Sequence, residues 1–228
     1  MIYPGSVRSA VPTVILALLL SALPAGAAPR PITDAGFTYY VLSLYWLPTL
    51  CLESPADDEC QGLRRSGFVV HGLRPSLDYN SPVNCGGSDV LSGELIDRMK
   101  DLIPTRGLLQ REWTEHGTCS GLAPDEFFAT LRQAYAGVNI PTLGDGVHEL
   151  QLTTRQVTNS FTSRDPGLPL QAVAVTCSDH AARLQEVRIC LSKTLASTYC
   201  TGEMIRSACR SVSVYLPSMT NSPPTAAP

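Results

Sequence analysis

Histidine is scarce in this chain of 228 residues, and two of its four copies sit in short segments of unusual composition. One segment is "FVVHGLRP", which carries His71; the other is "QREWTEHGTCSG", which carries Glu112 and His116. On a helix, positions 112 and 116 lie one above the other, so the carboxylate and the imidazole can share one wall of a cleft. A carboxylate beside an imidazole orients it and raises its pKa. With His71 facing them, the set holds two imidazoles and one carboxylate. It suits a reaction in which one group removes a proton while another delivers one, near neutral or mildly acidic pH. Cleavage of RNA by the ribose 2'-hydroxyl needs that pairing, brings its own nucleophile and requires no metal. Two other readings stay open on these residues alone: a hydrogen-bonded structural histidine, and a metal site in which His71, Glu112 and His116 form a facial set. His148 and His180 fall outside both segments and read as surface or structural.

The elements that must hold these side chains follow from the hydrophobic period. Residues 37–46, "FTYYVLSLYW", predict a buried strand, and residues 66–75 predict a second one ended by Gly72 and Pro75, which puts His71 at a strand end. A loop rich in Ser, Asn, Pro and Gly covers 76–88. Helical spacing then appears over 92–103, stopping before Pro104, and over 107–116, where Gly117 is the terminator and Trp113 reads as core. Pro124 with Asp125 and Glu126 starts a helix over 124–135, and 154–162 predicts another. The period changes to two over 170–177, 184–192 and 211–216. Strands, then helices, then strands, without regular βαβ alternation, predict an α+β fold with a mostly antiparallel central sheet and helices packed on it.

The N-terminal end reads as an export leader. Arg8 supplies a weak positive region, residues 11–25 an apolar run, and "AGA" at 25–27 a cleavage site, so residues 1–27 are expected to be a signal peptide. The mature protein is then expected to be secreted or periplasmic, with one domain over 28–216 and a disordered tail over 217–228. No later run is long and apolar enough to anchor the mature chain in a membrane. The formal net charge is -3, and losing the leader removes only Arg8. That is not the footprint of a protein that holds long nucleic acid by bulk electrostatics, so a polyanion would have to be gripped locally. All eight cysteines follow the leader, which in an exported chain implies up to four disulfides. No CxxC pair is present, which argues against zinc.

The two histidine segments resemble the active-site segments of the ribonuclease T2 family, usually written as a strand ending HGLWP and a helix carrying HEWxKHGTC. The upstream "YYVLSLYWLPTLC" and the downstream "VTC", "EVRIC" and "CRS" are similar as well, so the likeness spans about residues 36–216. The resemblance implies a disulfide-stapled α+β fold, no cofactor, no metal and a monomer. It also implies endonucleolytic cleavage of single-stranded RNA through 2',3'-cyclic phosphates to 3'-phosphates. By position, His116 resembles the base on the 2'-hydroxyl and His71 the acid on the departing 5'-oxygen. Glu112 resembles the residue that hydrogen-bonds the phosphoryl oxygens or tunes the pair. The family's disulfides would join Cys51 to Cys60, Cys85 to Cys119, Cys177 to Cys209 and Cys190 to Cys200. Cys119 would thus staple the catalytic helix end to the loop after His71.

Four departures from the family pattern fall in the site. Glu115 stands where the family has a lysine that offsets charge on the phosphorane, and Arg111 where it has a histidine. Arg74 replaces the tryptophan of HGLWP, and Ser76 an acid. Arg111 and Glu115 are spaced to pair along the helix, with or without a catalytic role; alternatively Arg111 reaches the phosphate. Arg74 would stack on a base or grip a phosphate. Tyr79 is the nearest aromatic that would replace the lost stacking surface. The alternative to an active nuclease is a weakly active or inactive relative that acts as a binding or toxin-like protein, and Glu115 is its support.

Overall fold

The computed structural model describes residues 1, 36–57, 60, 67–86, 89–144, 148–179 and 181–218. The expected leader, apart from Met1, His180 and the tail from 219 onward lie outside the described residues. The elements below belong to one unit, Ile32–Pro228.

Four strands form the main sheet: β1 (Tyr39–Trp46), β2 (Phe68–Ser76), β4 (Val173–Cys177) and β5 (Leu184–Leu191). Their order is β2-β1-β5-β4 and each neighbouring pair is antiparallel, so β2 and β4 are the edges. Alternation along β1 sends Tyr40, Leu42, Leu44 and Trp46 into the principal core, where they meet Val187 and Ile189 of β5 and Val173 and Val175 of β4. The helices α2 (Gly93–Met99), α3 (Arg106–Glu115), α4 (Pro124–Ala136) and α5 (Thr154–Thr162) close that core with Leu95, Leu109, Trp113, Phe127, Phe128 and Phe161. Fully burying a side chain of this kind contributes about 1.5–3 kcal/mol.

The opposite face of the sheet differs. At one end Tyr39, Val41, Ala174 and Cys190 pack with Cys200 and Met204 as a small second cluster, under α6 (Gly202–Arg206). Beyond it the residues become polar: Ser43 and Arg188 face each other across β1 and β5, as do Tyr45 and Glu186. A two-stranded sheet pairs β3 (Leu150–Thr153) with β6 (Ser213–Leu216), and α1 (Leu47–Glu53) follows β1 directly. Disulfides join Cys51 to Cys60, Cys85 to Cys119, Cys177 to Cys209 and Cys190 to Cys200. No helix among the described residues is long and apolar enough to cross a membrane.

The α+β reading of the sequence holds, with local corrections. Gly72 and Pro75 do not end β2, which runs on to Ser76. Proline is tolerated there because β2 is an edge strand and has no second ladder to supply. The helix expected over 92–103 stops at Met99. Residues 170–172 form a short 3-10 turn ahead of β4, and β6 leaves the main sheet to pair with β3. The start of the expected disordered tail is packed: Ser218 is buried, and the Trp46 indole donates to the Pro217 carbonyl at 3.1 Å.

Candidate active site

His71 owes its direction to a β-bulge. Ser43 faces Gly72 and the next residue, Leu44, faces Val70, so His71 is the extra residue on β2. The bulge resets the alternation, as bulges do when they re-aim a side chain. Val70 and Leu73 both enter the core. His71 instead lies against the Tyr45 ring, with centroids 3.9 Å apart and planes 7° from parallel. His71 is therefore a mid-strand residue, not the strand-end residue expected.

Glu112 lies at the edge of the same strand. Thr105 caps α3 by accepting from the Leu108 amide, and the helix carries Glu112 inward beside Leu108, Leu109 and Trp113. The Glu112 Oε1 accepts from the Leu73 amide at 2.6 Å, which satisfies an edge-strand donor that β1 does not reach. A Cβ at position 72 would run into the Glu112 carboxylate, so the glycine of "HGL" is what lets helix and strand come this close.

His116 is the cap of α3. The helix ends at Glu115, and the His116 amide still donates to the Glu112 carbonyl at 3.0 Å while its backbone turns away to φ -121°, ψ -45°. Gly117 does not simply stop the chain: a short 3-10 turn, Gly117–Ser120, continues the path. A Cβ at Gly117 would meet the Trp113 ring. The loop after β2 is tied to this helix end three times. Asn84 donates to the Glu115 carbonyl at 2.9 Å, Cys85 donates to Thr118 Oγ1 at 3.2 Å, and Cys85 is bonded to Cys119.

Burial sets the charge states here. Glu112 is 5% exposed, and its pKa is pushed up to about 7 by burial, against the pull of His71, the Leu73 amide and Arg74. The His116 pKa is pushed down to about 3, first by burial and then by the positive charges of Arg74 and His71. The expectation that Glu112 raises the His116 pKa is thus corrected. The carboxylate turns toward the Leu73 amide, and the dry pocket disfavours a charged imidazole. In mildly acidic solution His116 is a neutral imidazole and Glu112 a largely protonated carboxyl, which can donate a hydrogen bond.

Arg74 stands three residues after His71 and comes within 4.0 Å of Glu186; its side chain is only 18% exposed. Glu186 also binds Arg188 Nε at 2.6 Å, and Arg188 reaches Ser207 at 2.8 Å. The Arg74 guanidinium lies close enough to the Tyr45 hydroxyl for each to act on the other electrostatically. Tyr45, Glu186 and Arg188 were missed in reading the sequence. The signal for the last two was there: opposite charges two apart in a largely apolar strand, "LQEVRICL", must share one face, and that face is the one turned away from the core.

The other candidates separate. Arg111 is exposed and does not pair with Glu115, which corrects the helix ion pair expected from their spacing. Such a pair is worth only about 0.2–0.5 kcal/mol. Glu115 Oε2 lies instead 3.9 Å from His116 Nε2. Tyr79 is 67% exposed on the loop after β2, and its carbonyl accepts from Arg206. Trp113 is core, and His148 is exposed. Among the described residues no three His, Cys, Asp or Glu are grouped to hold a metal ion.

The structure is a disulfide-bonded, antiparallel α+β fold that brings His71, Glu112 and His116 to a bulged sheet edge. The profile of the Ribonuclease T2 family matches residues 37–200, and the chain belongs to that family. It is 36% identical over 115 residues to a ribonuclease of Aeromonas hydrophila, covering 50% of this chain and 52% of that one. A probable ribonuclease of Haemophilus influenzae is 29% identical over 119 residues, covering 45% of this chain and 44% of that one. The chain thus spans about half the length of the curated relatives it matches. Among solved structures, the RNase-related protein from Calystegia sepium superposes with a TM-score of 0.61 at 21% identity, covering 79% of this chain and 97% of that one. Trichomaglin, an S-like ribonuclease, gives 0.60 at 17% identity, covering 80% of this chain and 100% of that one. At these identities the structures speak for the fold.

Proposed function

We propose that this chain is a secreted or periplasmic, metal-independent endoribonuclease that acts on single-stranded RNA as a monomer. His116 takes the proton from the ribose 2'-hydroxyl as that oxygen attacks the adjacent phosphorus. His71 delivers a proton to the departing 5'-oxygen, leaving a 2',3'-cyclic phosphate; the roles then reverse as water opens the ring to a 3'-phosphate. Glu112, held at the Leu73 amide, hydrogen-bonds a phosphoryl oxygen. Tyr79, exposed beside the cleft strand, offers a ring for a base to stack on.

The observation that carries this reading is geometric: the Glu112 carboxyl is held at the Leu73 amide, two residues from His71, by the helix whose cap is His116, inside the stretch that the family profile matches. Four disulfides support export to an oxidising compartment. One observation favours a weakly active binding protein instead: the Glu115 carboxylate, in place of the family lysine, stands 3.9 Å from His116. Incubating the purified protein with RNA in EDTA between pH 4 and 8 decides between them. Cyclic-phosphate products that disappear in His71→Ala and His116→Ala support the nuclease; no product, or variants that match the parent, overturns it.

A further inference from the structure

We infer that Arg74 is a catalytic cation that binds the phosphoryl oxygens in the transition state, replacing the family lysine lost at Glu115, and that Glu186 and Tyr45 position it. The inference rests on the nuclease reading above. Three features of the sheet face carry it.

The first is unequal pairing. Glu186 carries one negative charge between two arginines, and it is bound tightly to Arg188, at 2.6 Å, but stands 4.0 Å from Arg74. One positive charge therefore remains on this face, and it is Arg74 that keeps it. The second is a spare donor. The Arg74 Nε is buried and makes no hydrogen bond among the described residues, while the guanidinium lies beside the Tyr45 hydroxyl. That Nε is sealed from solvent, so a phosphoryl oxygen would be met by the terminal nitrogens, which the 18% exposure of the side chain leaves within reach. The third is place. Tyr45 stacks on His71 and its hydroxyl lies beside Arg74, so one ring stands between the proposed acid and the cation, and Arg74 acts electrostatically on both Glu112 and His116.

The alternatives fit less well. Stacking on a base needs an open guanidinium plane, and this side chain is 18% exposed. Arg111 is exposed and not held by another side chain, so it is not preorganised as a transition-state donor must be.

The test compares the parent with Arg74→Lys and with the double variant Arg74→Gln/Glu186→Gln. The double variant removes the charges of Arg74 and Glu186 together but takes the carboxylate from Arg188, so its fold is checked by circular dichroism and the Arg74→Lys variant, which keeps every charge, is read beside it. Cleavage of a dinucleoside phosphate gives kcat and KM. Binding of a uridine–vanadate complex, which mimics five-coordinate phosphorus, is read against binding of 3'-UMP. We expect the double variant to lose about 10²-fold in kcat and a similar factor in vanadate affinity, with 3'-UMP affinity changed less than about 3-fold and the lysine variant intermediate. An unchanged kcat, or equal losses of vanadate and 3'-UMP affinity, would overturn the assignment. A parent that does not cleave RNA would instead sink the nuclease reading, and the vanadate affinities would still decide whether Arg74 is the anion site.

Discussion

The edge of the sheet and its polar face each bury a glutamate, and the two end in opposite charge states. Glu112 is 5% exposed and Glu186 is 1% exposed, so burial does not distinguish them. Burial raises the pKa of both. Glu112 is answered by one backbone amide and by charges that do not touch it, and its pKa stays up at about 7. Glu186 is answered by Arg74 and Arg188 and is held below the usual carboxylate range. Partners, not depth, decide which buried acid keeps its charge. The protonatable acid and the charged cluster lie within electrostatic reach of each other through Arg74.

The strongest way to break the contrast is to remove the charge from the face that needs it. Glu186→Gln leaves Arg74 and Arg188 buried without their counter-charge, and chemical denaturation at pH 7 should show a loss of about 3–5 kcal/mol. Because the folded-state pKa of Glu186 is depressed, its contribution is fully present above the ordinary value of 4.5 and is lost as pH falls below it. The difference between variant and parent should therefore shrink in acid.

Glu112→Gln should do the reverse. The folded-state pKa is raised, so the protonated carboxyl contributes stability in full below pH 4.5, and that contribution is lost as pH rises through about 7. At pH 8 the variant should be more stable than the parent by on the order of 3 kcal/mol, and at pH 4.5 the two should melt alike. Equal melting temperatures at both pH values would show that Glu112 ionises normally.

Tyr45 joins the two regions, and its replacement should have the smallest effect on stability. Tyr45→Leu loses the ring stack on His71, about 0.5–1.5 kcal/mol, and the contact to Arg74. Tyr45→Phe keeps the first and loses the second. If Tyr45 orients His71 by stacking, the leucine variant loses kcat while the phenylalanine variant keeps most of it; equal losses would assign the effect to Arg74 alone.

The helix-end half of the site was legible because it is local. Glu112, His116 and Cys119 lie within one helix and its cap, so their types and spacing were informative before any tertiary contact was known. His71 was found by its motif, but its direction was not, because a bulge between Ser43 and Leu44 depends on strand register. Arg74 was singled out only as a departure from the family, and its partners stayed hidden. Tyr45 and Glu186 come from β1 and β5, whose pairing joins residues far apart in the chain. The Arg111–Glu115 pair failed for an energetic reason: an exposed pair is too weak to hold two long side chains together. At the fold level, the sheet's antiparallel character followed from the order of elements. The β3–β6 pairing did not, since a four-residue strand with no buried position, such as Leu150–Thr153, carries almost no periodic signal.

The most direct measurement is kcat/KM for RNA cleavage as a function of pH, from about 2.5 to 9, in the parent protein with EDTA present. If His116 is the base, it stays neutral far into the acid range, so activity should hold down to about pH 3 and fall only below it. An acid limb near the ordinary histidine value of 6.5 would contradict a dry, neutral His116 as the proton acceptor.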